Sequence, residues 1–396
     1  MKKTLLIVPL LLFACNRADV FKIDTIDLPQ NGTEIVKSAN NAGFVVFNEL
    51  ADSSENSNIM FSPLSLNIPL TMIYNGANAD TKTQIADFLG ISDYSVSDVN
   101  DTYETIMKKF PKVDRKTDLS IANSLWVNQN YSIKQDFKDV VSKKYKATVE
   151  NMDFTDPKTV TTINDWVDKN TKGKITNILD NFKKEDLLVL INALYFHSEW
   201  HYKFPKENTK DYDFYLSDST KIQVPTMFSE ANKYKMATNN NCVIVEMPYS
   251  QGNYVMDLIK PDYGAYFDNC LEVLDDWDNV VSNLTEANIE ISVPKFEFTK
   301  SYDLLDMLRT KFPDAFNKNA DFSNLTEDSC YISKVIQKTY VKTDEEGTTA
   351  AAATLWGMEA TAVEPVVINY DVPFIFIIRE VTTGTIMFIG KVADPR

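Results

Sequence analysis

Glu345-Glu346-Gly347-Thr348-Thr349-Ala350-Ala351-Ala352-Ala353-Thr354 stands between two strand-like segments, IQKTYVKT (Ile336–Thr343) and VPFIFIIRE (Val372–Glu380). An ordinary surface loop has no need of such a run of small residues. Gly347 can adopt backbone angles closed to other residues, so the chain can turn there. Beyond it the small side chains can lie exposed or slide into a sheet. The segment reads as one built to move.

The rest of the chain is ordinary folded protein, 44% hydrophobic and 24% charged over 396 residues, ample for a large core. No Pro/Gly/Ser-rich linker and no repeat period divides it, so one large domain is expected over 31–396. Forty basic residues against 56 acidic ones leave a net charge of −16, with the lysines scattered among acids. Phosphate binding needs clustered positive charge, which excludes nucleic acid as a partner.

Lys2 and Lys3 precede an apolar run, Leu5–Phe13, too short to cross a bilayer as a helix and of the kind that directs secretion. It ends in Leu12-Phe13-Ala14-Cys15, which resembles the lipobox of bacterial lipoproteins. The resemblance implies residues 1–15 as signal, cleavage before Cys15, a lipid on its thiol and a tether over residues 16–30. An outer-membrane lipoprotein, periplasmic or at the cell surface, is the expected location, with the extracellular space as the alternative. Cys242, Cys270 and Cys330 show no metal-ligand spacing. They are expected as buried thiols, with at most one disulfide among them.

Helix and strand patterns mix without a regular βαβ rhythm, so the class is α+β. Helical periodicity covers 34–50, 64–75, 81–89, 99–110, 134–145, 160–171, 266–277 and 302–310, with Asp80 and Thr155 or Asp156 as caps. Strand patterns cover 119–127, 187–195, 243–248, 254–259, 288–294, 335–342, 372–379 and 385–392. LLVLINALYF (187–196) is apolar on both faces, as a doubly covered central strand requires.

Catalytic signals are poor. The two histidines, His197 and His201, have a spacing that suits zinc on a helix. They follow a strand, where residues four apart lie some 13 Å apart at ~3.3 Å per residue. No nucleophile elbow, P-loop or dinucleotide fingerprint accompanies them. A zinc hydrolase is therefore the weaker alternative, and neither a metal nor a cofactor is expected.

Six segments, in order, resemble the serpin family: NIMFSPLSLN (58–67), YNGANADTKTQI (74–85), ANSLWVNQNYSIKQDF (122–137), INDWVDKNTKGKI (163–175), LINALYFHSEW (190–200) and DVPFIFIIREVTTGTIMFIGKVADP (371–395). The resemblance extends from about Glu34 to Arg396, with EEGTTAAAAT at the family's hinge. It implies three β-sheets, about nine helices and an exposed reactive loop at about 346–365. Serpin loop insertion is an established case of strand addition and stored strain. By that resemblance a protease attacks the loop, forms an acyl-enzyme and is trapped covalently when the cut loop enters the central sheet. The implied function is inhibition of serine proteases by a monomer that is no enzyme. A non-inhibitory binding protein, or a mere protease substrate, is the alternative.

Site residues follow by the same carry-over. Glu345, Gly347, Thr348, Ala350, Ala352 and Thr354 form the hinge, the last four facing inward after insertion and Thr349 outward. Trp356 and Met358 would also face inward, and the bulk of Trp356 bears on insertion rate. Ser62, Ser65, Asn192 and Gln337 match the cluster over which the sheet opens, with Gln337 where many serpins have histidine. Its amide is expected to bridge Ser62 and Asn192, removing pH sensitivity there. Trp200, Lys295 and Glu345 match the loop-entry region. Helix 99–110 is not basic enough for a glycosaminoglycan. The scissile bond is Thr361-Ala362 or, counting back from Pro373, Ala362-Val363, with Met358-Glu359 weaker. No Lys or Arg lies between Lys342 and Arg379. Trypsin-like targets are thereby excluded, leaving elastase-like serine proteases first and papain-like cysteine proteases second.

Overall fold

Leu188–His197, the run apolar on both faces, is the middle strand of a five-stranded sheet and is buried from Leu188 to Tyr195. The structure is a computed structural model that describes residues 21–53, 57–347 and 364–396. Nine α-helices occur among the described residues: α1 (Gly32–Asp52), α2 (Pro63–Gly76), α3 (Ala79–Leu89), α4 (Val96–Val113), α5 (Gln135–Tyr145), α6 (Pro157–Asn170), α7 (Phe267–Glu272), α8 (Trp277–Ser282) and α9 (Leu305–Lys311). The first eight strands are β1 (Ile59–Phe61), β2 (Asp118–Asn128), β3 (Thr148–Met152), β4 (Leu188–His197), β5 (Lys210–Tyr215), β6 (Lys221–Phe228), β7 (Asn232–Asn239) and β8 (Cys242–Pro248). The others are β9 (Tyr254–Pro261), β10 (Thr285–Pro294), β11 (Phe296–Asp303), β12 (Ile332–Thr343), β13 (Val366–Asn369), β14 (Phe374–Glu380) and β15 (Ile386–Val392).

The five-stranded sheet has the order β11-β12-β4-β2-β3. The second sheet has ten strands, in the order β1-β15-β14-β9-β8-β7-β10-β6-β5, with β13 beside β10. Its continuity depends on β10, which pairs with β7 over Thr285–Ile289 and with β6 over Ser292–Pro294. Divided at that switch, the pairing gives the three sheets expected. Helix α2 is buried nearly throughout, as an all-round apolar helix must be, and packs against β4 and β15, one strand from each sheet. The two-residue alternation of β4 sends Leu188, Leu190 and Leu194 into that large core. Val189, Ile191 and Ala193 face a smaller one with Trp126, Ile163 and Val167.

Several expectations need correction. The helix expected over 302–310 starts only at Leu305, because Tyr302 and Asp303 still pair with Gln337 and Ile336 as the end of β11. The helix expected over 266–277 breaks into α7, a 3₁₀ turn at Val273–Asp276 and α8, where a β-branched residue and two aspartates weaken α-helical geometry. Asp80 lies inside the first turn of α3, whose N-cap is Asn78, whereas Asp156 does cap α6 by accepting from Lys158 N. The proposed tether is docked from Phe21 onward. Asn253 Nδ2 donates to Asp24 O at 2.7 Å, Ile26 N donates to Thr382 Oγ1 at 3.1 Å, and the Ile26 side chain is buried. Phe21 packs on His201 with ring centroids 4.4 Å apart. Phe21 and Ile26, at the ends of the stretch, hold it to the body. Cys15 and the signal lie outside the described residues.

Candidate functional site

β4 and β12 run parallel at the centre of the five-stranded sheet, paired from Leu188↔Ile332 to Leu194↔Thr339. Both strands continue beyond that point. β4 stays paired with β2 as far as His197↔Asp118, and β12 with β11 as far as Thr343↔Phe296. The upper end of the seam is therefore held by the outer neighbours of the two strands and is unzipped between them. A segment that leaves β12 by a tight turn runs antiparallel to β12, and here antiparallel to β4 as well. An added strand would replace one parallel pairing, the less stable kind per residue, with two antiparallel ones.

The tight turn is present. Gly347 N donates to Asp344 O at 3.1 Å, and Glu346 N donates to Asp344 Oδ1 at 3.1 Å. Gly347 has φ +90°, and a Cβ there would lie 2.2 Å from Trp200 N and 2.7 Å from Ser198 O. Only glycine fits, both for the left-handed backbone and for the close approach to the chain leaving β4.

Main-chain and ionic contacts fasten this turn. Trp200 N donates to Glu346 O at 3.0 Å, Phe204 N to Glu345 O at 3.1 Å, and the Trp200 indole N–H to Asp344 O at 2.9 Å. Trp200 is fixed in turn by stacking on Tyr249, centroids 4.3 Å apart. Lys295 Nζ donates to both oxygens of Glu345, at 3.0 and 2.9 Å, and Thr209 Oγ1 adds a bond at 2.9 Å. Burial raises the Glu345 pKa, but the donors Lys295 and Thr209 outweigh it and hold the carboxyl below its ordinary value. The structure thus brings Trp200, Lys295, Glu345 and Gly347 together.

The middle of the seam is built differently. Gln337 and Asn192 are register partners across it. Ser62 N donates to Gln337 Oε1 at 2.9 Å, and Gln337 Nε2 donates to Ser62 O at 2.8 Å. The amide therefore spends both its ends on the Ser62 main chain and does not bridge to Asn192. The Ser62 hydroxyl is engaged elsewhere, accepting from Ser65 N at 3.0 Å as the N-cap of α2. Asn192 Nδ2 donates to Asn123 Oδ1, and Asn123 Nδ2 to Tyr145 O at 2.9 Å. Thr339 Oγ1 continues the tie from β12 to the β1–α2 segment, donating to Met60 O at 3.1 Å. Ser65 Oγ and Asn192 Oδ1 are buried with no hydrogen-bond partner among the described residues.

Thr348, Ala350, Ala352, Thr354, Trp356, Met358, Thr361, Ala362 and Val363 lie outside the described residues. His201 turns Nδ1 to Ser250 O at 2.7 Å, and burial lowers the His197 pKa. Sequence reasoning missed Asn123, Thr209 and Tyr249. Asn123 had a signal, a polar residue in an apolar strand opposite Asn192. Thr209 and Tyr249 had none, being brought in by loops.

The family model for serpins (serine protease inhibitors) matches residues 37–395. An uncharacterized serpin-like protein of Methanosarcina acetivorans is 31% identical over 392 residues, covering 95% of this chain and 92% of the relative. A leukocyte elastase inhibitor of Xenopus laevis is 30% identical over 370 residues, covering 89% of this chain and 97% of the relative. Among solved structures, human thyroxine-binding globulin superposes with a TM-score of 0.84 at 27% identity, covering 92% of this chain and 99% of that one.

Proposed function

This chain belongs to the serpin family, and from that premise we propose that it inhibits elastase-like serine proteases by loop cleavage, acyl-enzyme trapping and insertion of the cut loop between β4 and β12. The family supports a protease-inhibiting role rather than a catalytic one. The observation that carries the insertion reading is the parallel seam, unzipped above Leu194 and Thr339, with the turn at Asp344–Gly347 seated over it. About a dozen inserted residues, at a net ~1 kcal/mol per hydrogen bond, would stabilise the product by on the order of ten kcal/mol. Loss of one oxyanion-hole donor alone slows acyl transfer by ~10² to 10³, so a distorted protease site would retain its ester.

Elastase-like specificity rests on the small residues at Thr361-Ala362 and Ala362-Val363, and on the lack of a basic anchor between Lys342 and Arg379. Papain-like cysteine proteases are the second target class. Sequencing the cleaved loop from a complex assigns the bond. We extend the proposal to export and lipidation at Cys15, for which a palmitate label lost in Cys15→Ser is the test.

Cutting the loop with a protease that escapes trapping tests insertion alone. The cut protein is expected to melt well above the intact one. An unchanged melting temperature would refute insertion and favour the binding-protein reading, to which the likeness to thyroxine-binding globulin is relevant.

A further inference from the structure

Two of the three body cysteines, 28 positions apart in sequence, meet in the core. Cys242 opens β8, where it pairs with Asn239 and Pro261, and Cys270 lies in α7. Their sulfur atoms are 3.0 Å apart, and both residues are sealed from solvent. Cys330 is buried two residues before β12, in the other sheet. We propose that Cys242 and Cys270 are a disulfide-forming pair, joined by thiol–disulfide exchange with a small disulfide such as oxidised glutathione.

One protein thiolate attacks the donor disulfide and releases one donor thiol. The second protein thiolate then attacks that mixed disulfide and releases the other. The protein loses two protons and two electrons, and the donor is reduced to two thiols. Both sulfurs are inaccessible in the folded chain, so the bond forms before α7 packs onto the sheet. The folded pair is afterwards insulated from exchange in either direction.

The consequence falls on the anchorage of β13 and the chain that leaves it. Helix α7 packs on β9 and β14. Strand β9 holds the chain that leaves β13, through Tyr370 Oη donating to Leu258 O at 2.9 Å and Lys260 Nζ donating to Asn369 O at 2.8 Å. A β8–α7 bond braces that strand.

The test refolds the full chain from denaturant in a mainly oxidised glutathione buffer and, in parallel, in a reducing one. Each sample is then denatured with an alkylating reagent and digested between the two cysteines. The oxidised sample is expected to yield joined Cys242 and Cys270 peptides, 2 Da lighter than the two thiols, with Cys330 alkylated, and to melt about 3–5 °C higher. Cys270→Ala should abolish that redox-dependent rise, and Cys330→Ser should keep it. Equal alkylation of all three cysteines in the oxidised sample, or a bond that includes Cys330, would overturn the proposal.

Discussion

The seam between β4 and β12 is closed in two ways, and the difference separates holding from starting. In its middle, beside the parallel ladder, neutral buried groups tie each strand to its surroundings: Gln337 and Thr339 of β12 to the Ser62 main chain and Met60 O, and Asn192 of β4 to Asn123 of β2. At its top the strands are unpaired, and a turn is fixed by an ion pair at the edge of solvent, Lys295 being 36% exposed. A strand entering from the top meets no ladder bonds to break until Leu194 and Thr339. Below them it must break the β4–β12 ladder, and any shift of β12 over the β1–α2 segment would strip Gln337 and Thr339 of their buried partners. The top is built for entry and the middle for resistance.

The largest expected effect tests entry. Thr348→Arg carries a charge into the sheet if the loop inserts, at a cost of several kcal/mol. It should turn the inhibitor into a substrate, read as loss of denaturant-stable complex with full loop cleavage. Retained trapping would show that the segment after Gly347 does not enter the seam. The middle comes next. Gln337→Ala leaves the Ser62 N–H buried without its partner, about 1–3 kcal/mol, while Ser62 O still accepts from Leu66 N at 3.1 Å, and should lower the melting temperature of the intact protein. No change would mean that the middle does not hold the seam.

The smallest effect belongs to the top. Lys295→Met should cost only about 0.2–1 kcal/mol at neutral pH, as a solvent-screened pair does. The folded pKa of Glu345 lies below its ordinary 4.5, so the contribution of the pair is present above that value and is lost as pH falls through the folded pKa. The difference in melting temperature between wild type and Lys295→Met should accordingly shrink at acid pH. A difference independent of pH would assign the effect to packing of the lysine stem.

The central strand was legible because its composition is extreme, apolar on both faces, whereas the small-residue run after Gly347 lies outside the described residues. Strands β5, β7 and β11 escaped because charged residues dilute their alternation, as in KDYDFY and FEFTKSYD, and β6 because Pro225 interrupts it. The docking of residues 21–26 was hidden for a related reason: Phe21 and Ile26 stand too far apart to form a pattern, and only their distant partners reveal them. Grouping of Ser62, Asn192 and Gln337 followed from the family resemblance, but its wiring did not. Side chains that bond to main chain, as Gln337 does to Ser62, leave no pairwise signature in sequence. Nor does a cysteine pair 28 residues apart, one on a strand and one on a short helix.

Incubation with an elastase, followed by denaturing gel electrophoresis, tests the central claim most directly. Insertion at the β4/β12 seam predicts a covalent band of inhibitor plus protease, with protease activity lost in proportion. A clipped loop beside fully active protease would contradict it.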